Sequence, residues 1–192
     1  MTTDRPDADA ANAPTLRADL LLALALIGLC VAARLLPHVS NFSPVAAAAL
    51  FAGAMLGRRS LALVVPLAAM LIGDLVLGFY HWQVMATVYA ALALPALIGM
   101  IARSSRVWLL AIGGALASAL VFFVTTNFAV WAFGGMYSLD SAGLLQCYTA
   151  ALPFLKYTAA GDLFWSVALF GGAALLRTVT GQPQQLTTAP RT

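Results

Sequence analysis

Charge is what this sequence has least of. Only 9% of its 192 residues are charged, against 62% hydrophobic residues and a mean hydropathy of +0.91, where a soluble domain carries roughly 25% charged residues. A water-exposed surface cannot be built at that density, so the chain is read as an integral membrane protein. Lysine is rarer still: the only one, Lys156, follows Leu155, whereas a P-loop needs Gly-Lys followed by Ser or Thr. That route to ATP is closed. No G-x-S-x-G elbow or H-E-x-x-H helix occurs, which removes two common hydrolase signatures. Cysteine is limited to Cys30 and Cys147, with no C-x-x-C or H-x-x-x-H spacing. No dedicated metal site, no cofactor and no enzymatic activity are therefore expected.

Long apolar runs are abundant. A bilayer core needs about 20 helical residues per crossing, which leaves room for about six crossings in one domain. Residues 1–17 carry Asp4, Asp7 and Asp9 among many Ala and Thr, and read as a disordered cytoplasmic tail rather than the basic start of a secretory signal. Apolar stretches follow at 20–36, 42–57, 61–78, 84–102 and 107–125, with a last one inside 150–176. The second opens with Ser43-Pro44, a cap followed by proline, and its brevity and alanine content suit a central position. Residues 126–149 are too polar and glycine-rich to read as a crossing, so they are expected to form an interfacial helix, a re-entrant piece or, as the expected fold has it, a long, aromatic-rich outer loop between helices 5 and 6. The expected fold is an all-α membrane protein: a six-transmembrane-helix bundle over 18–178, with 179–192 a second disordered cytoplasmic tail.

Basic residues set the expected orientation. With both ends cytoplasmic, Arg5, Arg17, Arg58, Arg59, Arg103, Arg106, Arg177 and Arg191 lie inside, and only Arg34 and Lys156 outside. In that N-in, C-in arrangement Asp74 sits about one helical turn, roughly 6 Å, below the outer end of the third helix. Asp162 enters the last helix from the same side, and His38, Asn41, Asn127 and Cys147 also fall there. An unpaired charge in hydrocarbon costs about 2.5 to 3.5 kcal/mol even on the lenient insertion scale, so Asp74 and Asp162 need partners or water. A structural pair, such as Asp162 with Arg34, is one solution; lining a solute cavity is the other and the one favoured here. Candidate solute-binding residues are Asn41, Asp74, His81, Asn127, Trp131, Tyr137, Cys147, Tyr148 and Asp162. His81 joins Asp74 on one face, at i+7, if the third helix continues past Gly78. The plainer readings are an aromatic belt for Trp82, Trp131 and Tyr157, and headgroup contacts for Arg34 and Lys156.

Small residues recur at helical spacing: Gly28 and Ala32 on the first helix, and Ala49, Gly53 and Gly57 on the second. Such faces let helices approach closely, within one chain or between chains.

The runs "NFSPVAAAALFAGAML", "PLAAMLIGDLVLGF", "VTTNFAVWAFGGMY" and "GLLQCYTAALPFLKYTAAGDLFWSVALFG" resemble an uncharacterised bacterial family of six-helix transport proteins. That family in turn resembles the substrate-binding S components of energy-coupling-factor (ECF) transporters. The resemblance implies a multi-pass protein of the bacterial cytoplasmic (inner) membrane that captures a vitamin-like or corrinoid solute at its outer face. A separate transmembrane coupling subunit and ATPases would supply the work, docking on Gly28, Ala32, Ala49 and Gly53. Aromatic rings flanking fixed polar groups suit a flat heterocycle. Lipid is the other expected contact; nucleic acid is not needed to explain the net charge of +3. Rival readings are a non-transporting membrane scaffold or morphogenesis protein, and a membrane-embedded hydrolase using Asp74 or His81 as a base.

Overall fold

The computed structural model describes residues 8–37, 41–102 and 107–179, with side chains from Leu16 onward. These residues form α1 (Ala8–Leu35), α2 (Val45–Met55), α3 (Arg59–Leu77), α4 (Trp82–Ile101), α5 (Val107–Phe133) and α6 (Ser141–Val179), with no strand among them. α1 begins inside the stretch expected to be a tail. Residues 1–7 and 180–192, together with His38, Arg103 and Arg106, lie outside the described residues.

Five of the helices are long and apolar enough to cross a membrane. α2 is not: its 11 residues rise about 16 Å, roughly half the hydrocarbon thickness. The expected helical bundle thus has six helices, five of them of crossing length, and α2 takes the central position expected for it. The helices α1, α3, α4, α5 and α6 pack in chain order around it, and each touches it. Every residue from Val45 to Gly53 is buried, so α2 has no lipid-facing side. The outer helices carry the exposed apolar surface instead, with Leu24, Leu75, Leu109, Leu120 and Leu175 all more than half exposed.

Local chemistry explains where the helices start and stop. Ser43 Oγ accepts the Val45 N–H at 3.3 Å, and Pro44 has no N–H to satisfy. α3 ends because Gly78 takes φ +99°, a conformation open to glycine and strained for other residues. His81 therefore precedes α4 as its N-cap instead of continuing the face of Asp74.

The expected long loop at 126–149 is also corrected, since α5 runs to Phe133 and α6 starts at Ser141, leaving only 134–140 between them. The polar residues that suggested a loop stay helical by bonding back one turn. Thr125 Oγ1 donates to Val121 O at 2.8 Å, Thr126 Oγ1 to Phe122 O at 2.7 Å and Asn127 Nδ2 to Phe123 O at 2.8 Å, which hides their polarity from an apolar surrounding. Gly135, at φ +70°, breaks α5. Asp140 caps α6, its Oδ1 accepting the Gly143 N–H at 2.7 Å and the Ser138 hydroxyl at 2.9 Å. Those bonds, the Gly143 N–H first, hold its carboxyl below the usual carboxylate range.

α2 and α4 meet backbone against backbone. A Cβ on Gly53 would overlap the Ala96 carbonyl, and one on Gly99 would overlap the Leu50 carbonyl. Ala49 and Gly53 are thus consumed inside the bundle, which corrects their expected role in docking a partner. Gly28 differs: it is exposed, with nothing within 4 Å of a Cβ placed there. Gly53→Leu should cost at least the roughly 1 to 3 kcal/mol of overpacking a core and lower the melting temperature sharply in detergent, whereas Gly28→Leu should melt with the wild type.

Candidate functional site

The site is built where α1, α3 and α4 meet at the end of the bundle that carries the start of α2. Arg34, near the end of α1, reaches α3 and donates from Nη2 to Asp74 Oδ1 at 2.5 Å and from Nη1 to Met70 Sδ at 3.2 Å. Tyr89 of α4 donates its hydroxyl to the other Asp74 oxygen at 2.9 Å. This crossing is possible because residue 73 is glycine: a Cβ there would overlap the Arg34 side chain at Nε. Asp74 is fully buried with both oxygens engaged. The expectation that it holds a solute is therefore corrected, because its charge is already spent on Arg34.

The other face of Arg34 lines a cavity of about 120 Å³, together with Asn41, Ser43, Thr158 and Asp162. All six helices or their links contribute to its walls, with Val45 and Ala46 of the first turn of α2 at one side and Phe122 of α5 at another. Glycine again sets the geometry. A Cβ on Gly161 would press on the backbone of Phe42 and Ser43, so its absence lets the α1–α2 link lie against α6 and brings Asn41 and Ser43 beside Asp162. Asn41 itself has φ +64°, a conformation asparagine tolerates better than most residues. A second cavity of about 220 Å³ shares Asn41, Val88, Phe122 and Thr158 with the first and adds Asn127. Taken together they fall at the lower end of small-molecule sites, about 300 to 1,000 Å³.

Asp162 stands apart from Asp74. It is buried at 4% exposure, and its Oδ2 has no hydrogen-bond partner among the described residues. Thr158 Oγ1, one turn earlier on α6, donates to Phe154 O at 3.1 Å and keeps its lone pairs for the cavity.

Three of the expected site residues, Asn41, Asn127 and Asp162, are thus brought together around the cavities. Others are not. His81 is exposed beyond the break at Gly78. Trp131 Nε1 donates to Ser138 O at 2.9 Å and closes the α5–α6 turn, where Tyr137 also lies. Tyr148 donates to Val124 O at 2.6 Å, and buried Cys147 donates to Asn127 O at 3.4 Å; both tie α6 to α5. None of these five residues lines either cavity. Sequence reasoning missed Ser43, Tyr89 and Thr158, which carry no signal beyond being polar in apolar helices or next to one. Arg34 did carry a signal, as an arginine inside an apolar run, but its partner is Asp74 and not Asp162.

Breaking the buried pair strands a charge. Asp74→Asn should cost about 3 kcal/mol or somewhat more, and Tyr89→Phe about 1.5 to 3 kcal/mol, the range for a hydrogen bond to a charged group. The Arg34→Met, Asp74→Leu double variant should be far closer to wild type than either single change, in a double-mutant cycle of unfolding in detergent.

Comparison with known proteins adds one match. No curated protein and no solved structure matches the chain. A family profile does match, over residues 14–185, a span that takes in most of α1 and every later helix. The chain belongs to that family, described as a family of unknown function (DUF6580).

Proposed function

We propose that this chain is a membrane solute-uptake protein that captures a small polar solute in the paired cavities. The observation that carries the reading is Asp162, a buried carboxylate facing a cavity with no partner for Oδ2. A structural residue would have been paired, as Asp74 is. The oxygens of Asn41, Ser43 and Thr158 around the same space give a solute several fixed contacts in a mostly apolar wall. The cavity size favours a solute of few heavy atoms over a corrinoid. Of the two bases a hydrolase reading would use, Asp74 is held by Arg34 and Tyr89, and His81 is exposed and lines neither cavity, which favours the solute-binding reading.

An S-component-like role is the form of this proposal that needs an external energy source, consistent with the missing P-loop. Gly28 and Ala32, exposed on α1, are where a coupling subunit would rest. The arginine distribution orients the site end outward in a bacterial cytoplasmic membrane.

Native mass spectrometry of protein taken directly into nanodiscs tests the binding claim. Wild type should carry a small-molecule adduct, and Thr158→Phe, which puts a ring at the wall that both cavities share, should lose it while eluting as a folded monodisperse species. Bare protein in both cases would sink the proposal. For orientation, an impermeant thiol reagent should label Cys introduced at Ser138 or Ser141 in intact cells; labelling only after the cells are opened would reverse the assignment.

A further inference from the structure

We infer that the solute is a small cation with N–H donors, a primary ammonium, held by Asp162. This rests on the reading of the cavity as a solute site and names the chemistry of its occupant.

The argument is a charge count around the cavity. Arg34 is neutralised by Asp74, with the two side chains in direct contact, and its unpartnered Nε lies against Gly73 of α3. Asp162 then remains as the uncompensated charge among the described residues that line the space. The start of α2 opens on the same cavity at Val45 and Ala46, and the positive end of its dipole lowers the cost of a carboxylate there. It does not supply the missing hydrogen bond, since Oδ2 has no donor. A buried carboxylate in this position is satisfied by a proton or by a cation. A proton has no use for the remaining volume, nor for the oxygens of Asn41, Ser43 and Thr158. An ammonium group uses both: one N–H for Asp162 Oδ2 and others for the neighbouring oxygens, in charge-assisted bonds. An anion would meet Asp162 with no free cation to offset it.

The test uses the full chain in phosphatidylcholine nanodiscs at constant chloride concentration, with methylammonium as probe. Tetramethylammonium, which has charge but no N–H, acetamide and acetate are the comparisons. Methylammonium should raise the melting temperature saturably and the other three should not. In Asp162→Asn the unliganded protein should melt close to or above wild type, because without a cation the side chain makes no bond through Oδ2 that asparagine would lose, and half-saturation should rise about tenfold or more. A wild-type response to acetamide or acetate in place of methylammonium would overturn the cation while leaving the cavity a solute site. An undiminished methylammonium response in Asp162→Asn would place binding elsewhere. Asp162→Asn melting far below wild type would make Asp162 structural. A shift produced by adding phosphatidylethanolamine, with none from methylammonium, would make the occupant a lipid headgroup and overturn the solute. No response to any probe also overturns the inference, and the adduct measurement on wild type then decides separately whether the cavity holds a solute at all.

Discussion

The contact between Arg34 and Asp74, completed by the Tyr89 hydroxyl, is the interaction on which this end of the molecule depends. Each of the three residues is costly in an apolar surrounding by itself, and the two ions are affordable there only because each solves the other's problem. They come from α1, α3 and α4, so one polar knot fixes the relative rotation and height of three helices that otherwise offer one another mostly alanine, leucine and valine. It also removes Arg34 as a counter-ion for anything else. The isolation of Asp162 across the cavity is a consequence of that commitment.

The cavity exists because α2 is short. Long helices packed around a long central helix would fill the bundle from end to end, whereas α2 begins only at Val45 and leaves the space above its first turn to be closed by the α1–α2 link. Glycines decide how tightly the rest closes. Gly53 and Gly99 bring α2 and α4 into backbone contact, and α2 is buried from Val45 to Gly53. Gly161 admits the link against α6 and Gly73 admits Arg34 across α3. Close packing between α2 and α4 thus gives way to open space at the end where Asn41, Ser43, Thr158 and Asp162 converge. Native sequences break local rules mainly at functional sites, and an unsatisfied buried carboxylate is such a breach.

The α5–α6 pair shows why polar sequence in a membrane protein does not mean loop. Thr125, Thr126 and Asn127 satisfy themselves on carbonyls of the preceding turn, and Trp131, Cys147 and Tyr148 bond to backbone oxygens across the turn or the pair. The 39 residues of α6 extend about 58 Å, well beyond a hydrocarbon core of about 30 Å. Its first part therefore reaches past the bundle with α5 alongside, and its aromatic residues serve that packing.

Composition and hydropathy by themselves determined the class: a helical protein with several apolar helices of membrane-crossing length, a short alanine-rich second helix at the centre, and no P-loop. Periodicity and proline or glycine punctuation also located most helix boundaries, because those signals are local. The sequence further marked Asp74 and Asp162 as anomalies, and it marked them equally, as single aspartates in apolar runs. Only the tertiary structure decided that they differ. The partners of Asp74 lie 40 and 15 residues away, on helices whose rotation is set by side-chain and glycine packing across the whole bundle, and no local pattern encodes that rotation. The same packing turned Ala49 and Gly53 inward, left Gly28 facing out, and placed Asn41, Ser43 and Thr158 around the aspartate that was left without a partner.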